Sequence, residues 1–252
     1  MTNIFRVLYR EYKFRITNLA FLIWDIFVPI AYLLIFGYGF QKSIGGSFAG
    51  SNVDYASFFV PGILSMTCFG VAMNTSWRFF MERENGIFYE LLTYPVSRTQ
   101  LVIGKILFNV GLSLTGNFLV ILAGVLVLDT KIRGEFAPWV CLFTAVGTAG
   151  WFFFFAALAL RIRRMDIFNT VTSLCYILLM FASSMFYPLE TLPNWFRWIA
   201  LANPLTWLTD LFRFSTLGTG SSGMLTLQAV ALMSFTIAVF FAAIRALDRA
   251  AE

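Results

Sequence analysis

The sequence contains no histidine and only three cysteines. Without histidine the chain lacks the commonest general base and metal ligand. Cys68, Cys141 and Cys175 each stand inside an apolar segment without CxxC spacing, so we expect neither a zinc site nor a disulfide framework. We interpret them as small packing residues. These absences argue against a membrane enzyme, which would need a constellation of catalytic side chains at one membrane depth.

Two further absences concern the energy source. The chain has no GxxxxGK[ST] motif, since Gly104-Lys105 is followed by Ile106, so we expect no ATP site and no cofactor in this chain. It also shows no internal repeat, no paired acids inside an apolar stretch and no histidine relay. Those features are typical of secondary transporters. An autonomous transporter or channel therefore stays only as the alternative interpretation.

Charge is scarce as well. Charged residues make up 12% of the 252 residues and hydrophobic residues 59%, and the mean hydropathy is +0.78. These values lie well outside the range of soluble domains and indicate an integral membrane protein. The net charge is +5, but the basic residues are dispersed, so nucleic acid is not an expected partner.

Uncharged intervals of about 20 residues mark the positions where the chain can cross a bilayer. Gly218, Gly220 and Gly223 indicate a loop in the first third of the last interval. We therefore predict one all-α integral membrane domain over residues 1–252 with six transmembrane helices. The predicted spans are about 20–40, 56–78, 99–127, 137–160, 166–187 and 225–245.

Lys and Arg are distributed unequally between the two sides of the predicted bundle. Thirteen lie with the N-terminus, the Arg78–Lys105 segment, the turn near Arg163 and the C-terminus, against five on the other side. The excess predicts that both termini are cytoplasmic. Residues 1–18 alternate basic and apolar side chains, which predicts an amphipathic interfacial helix. A plain basic tail that sets orientation is the alternative.

The most charged segment runs from Glu82 to Lys105. After Gly86, apolar residues recur at helical spacing until Pro95, which ends a helix. Ser97 with Gln100 has the form of a capping box that begins the next helix. We predict a short cytoplasmic helix over residues 81–94 that docks on a soluble partner. A solvated linker is the alternative.

Two other features stand out. Asp25 is the only acid inside a predicted span, near its cytoplasmic end. It either pairs with a neighbouring helix or has a functional role. Residues 188–213 contain three prolines and many aromatic side chains, and Asn203-Pro204 has the pattern of a helix start. We predict an external re-entrant hairpin of two short helices; an interfacial aromatic belt is the alternative.

Three segments resemble the ABC-2 family of ATP-binding-cassette permeases, in particular its six-span exporters. They are FFVPGILSM (58–66), ERENGIFYELLTYPVSRTQLVIGKIL (82–107) and FYPLETLPNWFRWIALANPLTWLTDLFR (186–213). The second is similar to the family's cytoplasmic coupling segment, but Ile87 stands where the family usually has threonine. The likeness covers nearly the whole chain and carries little information on cargo.

The resemblance implies a homodimer with two copies of a separate nucleotide-binding subunit that holds ATP and Mg. It implies export of an amphipathic drug, lipid or lipid-linked saccharide across the bacterial inner membrane. Glu84, Glu90 and Arg83 would contact the ATPase subunit, with Ile87 and Leu91 packing into it. The full predicted coupling set is Glu82, Arg83, Glu84, Gly86, Ile87, Glu90, Leu91, Pro95, Arg98 and Lys105. Candidate pathway residues are Asp25, Phe59, Phe181, Met185, Phe186 and Tyr187.

Overall fold

The computed structural model describes residues 2–40, 54–94, 97–132 and 137–250, and within these ranges the chain is helical and without strands. Its helices, numbered in chain order, are α1 (Thr2–Thr17), α2 (Leu19–Tyr38), α3 (Tyr55–Glu84), α4 (Ile87–Thr93), α5 (Arg98–Leu128), α6 (Ala137–Arg161), α7 (Met165–Phe181), α8 (Asn194–Leu201), α9 (Pro204–Leu217) and α10 (Ser222–Ala250). The last turns of α2, Leu33–Tyr38, are π-helical, and Leu189–Thr191 is a 3₁₀ turn.

Five of the described helices are long and apolar enough to cross a membrane: α2, α3, α5, α6 and α10. The helix α7 is apolar but has 17 residues. At 1.5 Å per residue it spans about 25 Å, less than the roughly 30 Å of a hydrocarbon core. The predicted fifth span, 166–187, is therefore helical only as far as Phe181. Beyond it the chain turns, and Ser184 donates its backbone N–H to Thr206 of α9 (3.1 Å).

The helices α3 and α6 form the interior of the bundle. In their most apolar windows 83% and 67% of residues are buried, against 17% in α2 and α10. Phe69 of α3 meets Trp151 of α6 edge to face with ring centroids 4.5 Å apart. Gly147 lets Leu208 of α9 lie close to the α6 backbone, since a Cβ there would come within 2.6 Å of it. The exposed apolar faces of α2, α5 and α10 are those that lipid or a second subunit would cover.

Local sequence signals set several helix ends. The capping box of Ser97 and Gln100 begins α5, as predicted. Asn203 caps α9 with Pro204 as the first helical residue, also as predicted. Gly86 has φ 76°, a conformation that glycine adopts without strain, and it separates α3 from α4. The helix predicted over 81–94 is thus two elements, the end of α3 and the short α4.

The two short helices before α10 have different surroundings. The helix α9 is largely buried against α3, α6 and α10, whereas α8 leaves Trp195 and Trp198 exposed. Because α9 packs into the bundle, it belongs to the core as much as the long helices do. The re-entrant position of this pair relative to a bilayer stays a prediction.

Candidate functional site

The short helix α4 lies at the end of α3 that we predict to be cytoplasmic. Phe88 is buried and meets Phe79 of α3 edge to face at 5.4 Å, which fixes α4 to the bundle. Ile87 is 38% exposed, and Glu90 is also exposed. The helix therefore presents an apolar and an acidic side chain on the surface while its other face is anchored, which is a suitable geometry for docking a partner.

Phe79, which packs on Phe88 of α4, also lies 5.5 Å from the Nζ of Lys105 in a buried charge cluster, defined here as Arg10, Glu11, Arg78, Glu82 and Lys105. The Nζ of Lys105 donates to Glu11 Oε1 (3.0 Å) and to Glu82 Oε2 (2.8 Å). Arg10 donates to the other oxygen of Glu82 (2.8 Å), and Arg78 forms an ion pair with Glu11. All but Arg10 are almost fully buried. The cluster ties α1, α3 and α5 together, and Phe79 contacts both the cluster and the exposed helix.

Arg83 holds the same region to α6. Its guanidinium donates to the carbonyl oxygens of Ala159 and Ile162, both at 2.5 Å, and to Glu84. A cation at the last carbonyls of a helix also interacts favourably with the helix dipole. The α3–α4 corner is therefore connected to α1, α5 and α6.

The predicted coupling residues thus fall into two groups. Glu82, Arg83 and Lys105 are buried and bonded within this chain, whereas Glu84, Gly86, Ile87 and Glu90 lie at the surface and Leu91 is half-buried. Arg98 is the first residue of α5, and only its backbone is described. Pro95 lies outside the described residues. Contact of this segment with an ATPase subunit stays a prediction.

Asp25 is paired with a neighbouring helix, as one of the two interpretations expected. Its carboxylate lies 2.7 Å from Arg15 Nη1 of α1 and accepts a hydrogen bond from Asn74 of α3 (2.6 Å). Arg15 also donates to Thr75 (2.9 Å), which donates to Asn109 of α5 (2.6 Å). Burial lowers the pKa of Arg15, and the Asp25 carboxylate opposes that shift. Buried polar contacts thus connect α1 to α2, α3 and α5.

A lateral groove of about 540 Å³ lies between α2, α3 and α7. Asp25 and Asn74 line it together with Tyr32 and Tyr176, and the rest of its lining is mainly apolar. An apolar groove with a few polar groups is the usual form of a site for amphipathic molecules. Its lining residues are Trp24, Asp25, Val28, Pro29, Ala31, Tyr32, Ile35, Met66, Thr67, Gly70, Val71, Met73, Asn74, Ser173, Tyr176 and Ile177.

The other predicted pathway residues lie together at the opposite end of α3. Phe186 contacts Phe181 and Phe59, with ring centroids 5.2 and 5.5 Å apart. Tyr187 donates its hydroxyl to the carbonyl of Phe181, and Met185 is fully buried. This group is separate from the groove, which Asp25 alone of the predicted set lines. A role in transport stays a prediction for both.

Sequence reasoning missed several residues of these sites. Arg78 was missed, although it stands four residues before the predicted Glu82 on one helix, a spacing that favours an ion pair and could have identified the cluster. Glu11 looked like an ordinary residue of a basic amphipathic helix. The groove residues Tyr32, Asn74 and Tyr176 carry no local signal, because only helix packing brings them together.

Comparisons with known proteins identify the family to which the sequence is similar. The sequence model of a family described as ABC-2 type transporter matches residues 2–217. The chain is 30% identical over 207 residues to a putative transport permease, ycf38, of Cyanophora paradoxa, covering 77% of this chain and 67% of that protein. It is 24% identical over 184 residues to a daunorubicin resistance ABC transporter permease protein of Streptomyces coeruleorubidus, covering 72% and 63%. It is 27% identical over 163 residues to a probable multidrug ABC transporter permease of Escherichia coli K12, covering 64% and 44%.

Proposed function

The chain belongs to the ABC-2 type transporter family, and we propose that it is the membrane-spanning permease subunit of an ATP-binding-cassette exporter. Its cargo is an amphipathic drug, lipid or lipid-linked saccharide, which leaves the cytoplasm by alternating access. The drug-related names of two relatives and the mainly apolar groove support this cargo class.

The proposed transporter complex consists of two copies of this chain and two ATPase subunits in the bacterial cytoplasmic membrane. ATP and Mg are held by the partner subunits, and both termini of this chain are cytoplasmic. The exposed apolar sides of α2, α5 and α10 provide surface for the second copy and for lipid. The excess of Lys and Arg near the termini and α4 supports this orientation.

The single observation that carries the coupling mechanism is the position of α4. It presents Ile87 and Glu90 at the surface, and it connects to the buried charge cluster through Phe79, whose ring contacts Phe88 of α4 and lies 5.5 Å from Lys105 Nζ. Closure of two cassettes would displace α4, and the ion pairs would transmit that displacement to α1, α3 and α5 together. Because α2 and α3 line the groove, a tilt of this unit changes the groove's shape.

The test is the assembly and ATPase activity of this chain co-purified with a cassette protein in lipid nanodiscs. Glu90→Arg and Ile87→Asp change exposed side chains of α4 without disturbing the buried cluster. If these are central contacts, each loses about 2 kcal/mol of binding, roughly thirtyfold in affinity. The control is Asp166→Arg, which reverses an exposed charge in the first turn of α7 on the same predicted side and breaks an exposed pair with Arg164.

Three outcomes decide the proposal. Loss of assembly, or of cargo-stimulated ATPase activity, in the α4 variants but not in the control supports coupling through α4. Equal effects of all three changes contradict a specific role for α4. If no cassette protein associates and the chain alone moves solute across a membrane, the exporter proposal is wrong and the chain is an autonomous transporter or channel.

A further inference from the structure

A second cavity, of about 390 Å³, lies at the predicted external end of the bundle. It shares no lining residue with the groove. It is enclosed by the turn after Pro188, by α8 and α9, and by the start of α10. Its lining includes two cations, two carboxylates and one amide: Arg197, Arg213, Glu190, Asp210 and Gln228. No part of the proposed coupling mechanism uses these residues.

The inner wall of this cavity is held by hydrogen bonds. Asp210 accepts from Ser184 Oγ (2.9 Å), from Arg213 Nη1 (2.7 Å) and from Gln228 Nε2 (2.7 Å). Arg213 also donates to the carbonyl of Ser184 and lies over the Phe58 ring at 4.0 Å. Asp210, Arg213 and Gln228 are therefore held in place before any ligand arrives, which lowers the entropic cost of binding. The side chains of Glu190 and Arg197, in contrast, are exposed.

Two buried polar atoms of this wall have no hydrogen-bond partner within the described part of the chain. They are the Oε1 acceptor of Gln228 and the Nε donor of Arg213, and Gln228 is 4% exposed. Buried polar atoms are nearly always bonded, because an unsatisfied group costs free energy. A ligand that supplies both a donor and an acceptor would satisfy both atoms at once.

The charges of the cavity define the class of ligand. Arg197 and Arg213 balance Glu190 and Asp210, so the lining is neutral overall. A group with a net charge would lose hydration without a net opposite charge to receive it. A zwitterion matches better, because its separated charges can each face an opposite charge.

The surroundings of the cavity are those of a membrane interface. Trp195 and Trp198 of α8 are 67% and 73% exposed, and such residues gather at the headgroup level of bilayers. Met224 and Leu227 are exposed at the start of α10, and Met224 also lines the cavity. A molecule with a polar head in the cavity would have apolar surface beside it for its acyl chains.

We propose that this external cavity binds the headgroup of a zwitterionic phospholipid of the phosphoethanolamine class. The phosphate oxygens accept from Arg213 Nε and Arg197, and the ammonium group donates to Gln228 Oε1 and faces Glu190. The acyl chains lie along α10. This site does not depend on the exporter proposal, because its occupancy requires neither ATP nor a partner subunit.

The test is native mass spectrometry of the delipidated full-length chain, titrated with four probes. These are short-chain phosphatidylethanolamine, phosphatidylglycerol of equal chain length, a glucosyl diacylglycerol and free phosphoethanolamine. We expect one saturable phosphatidylethanolamine per chain, bound at least about tenfold more tightly than the other three. Phosphatidylglycerol and the glucolipid each lose a hydrogen bond to a charged group, which costs about that factor. Free phosphoethanolamine loses the burial of its acyl chains, worth about fourfold in affinity, or about 0.8 kcal/mol, per CH₂.

Two variants and a control locate the site. Arg197→Gln changes an exposed side chain, and Gln228→Leu removes the free acceptor together with the hydrogen bond from Nε2 to Asp210; each is expected to weaken phosphatidylethanolamine binding about tenfold. Thr226→Val changes an exposed polar residue of the same helix outside the cavity and leaves binding unchanged. Because Arg197 lies at the surface, its variant folds even if Gln228→Leu does not.

Each other outcome overturns the proposal in a distinct way. Equal or tighter binding of phosphatidylglycerol indicates an anion site, and preference for the glucolipid indicates a saccharide site. Equal binding of free phosphoethanolamine indicates a site for a soluble ligand. Undiminished phosphatidylethanolamine binding by Arg197→Gln places the lipid elsewhere. A failure of the exporter proposal would leave all of these binding results unchanged.

Discussion

The buried charge cluster allows a prediction from charge balance. Three cations, Arg10, Arg78 and Lys105, face two carboxylates, Glu11 and Glu82, within the described residues. Removing a carboxylate should therefore lower the free energy of unfolding by a different amount than removing a cation. Glu82→Gln leaves three cations with one carboxylate, whereas Lys105→Met leaves two balanced pairs.

The expected magnitudes follow from burial. Breaking a buried ion pair by removal of one partner costs about 3–5 kcal/mol, because the other charge stays buried without compensation. We expect that cost for Glu82→Gln, which at 2–4 °C per kcal/mol lowers the apparent melting temperature by roughly 6–20 °C. We expect roughly 2 kcal/mol at most for Lys105→Met, since methionine fills the volume of the lysine stem and the remaining charges balance.

The assay is the fraction of detergent-solubilised protein that stays monodisperse after heating, followed by size-exclusion chromatography. Membrane proteins of this size unfold irreversibly, so the comparison between variants at one heating rate is the meaningful quantity. The double variant Glu82→Gln/Lys105→Met should recover part of the loss, and Glu90→Gln, at an exposed acid, should change little. If Lys105→Met destabilises the protein as much as Glu82→Gln, charge balance is not what stabilises the cluster.

Two further predictions concern packing and capping. Gly62→Ala places a Cβ 2.6 Å from Met185 Cγ and 2.9 Å from its carbonyl oxygen, so we expect it to lower the free energy of unfolding by about 1–3 kcal/mol. The control is Gly70→Ala on the same helix, where an added Cβ would meet no atom within 4 Å. It should be neutral or slightly stabilising in the same heating assay. Asn203→Ala removes the cap of α9 and two hydrogen bonds to carbonyl oxygens at the end of α7, so we expect a loss of about 2 kcal/mol. Unchanged melting of Asn203→Ala would mean that packing alone positions α9.

The sequence predicted the helices well because their signals are local. Spans follow from the length of uncharged intervals, and the starts of α5 and α9 follow from Ser97 and Asn203, which act on backbone groups within a few residues. The break at Gly86 was not predicted, since the expected helix ran over residues 81–94. The prediction was less accurate where the chain leaves a helix to make a distant contact. The fifth predicted span ends at Phe181 instead of near 187, because Ser184 bonds to Thr206 in α9.

The candidate sites also differ in whether local sequence signals or distant contacts define them. Residues adjacent in sequence, such as the surface members of α4, were identified from the charge pattern and the family resemblance. The groove combines side chains from three helices that are separated by up to about 150 positions in the sequence. The hydrophobic periodicity of a helix does not predict which distant helices it will contact. The burial of charged side chains could not be predicted from the sequence either. Lys105 and Glu90 both lie in a charged segment, but Lys105 is 1% exposed and Glu90 lies at the surface.

By itself, then, the sequence determined the membrane class, the helical content and the family, because each depends on composition or on short motifs, whereas the orientation inferred from charge stays a prediction. Only the tertiary structure decided which charges are buried, that Asp25 pairs with Arg15, and that a groove and a neutral polar cavity exist. The physical reason is that burial and pairing depend on which helices pack together, and residues far apart in the chain determine that packing.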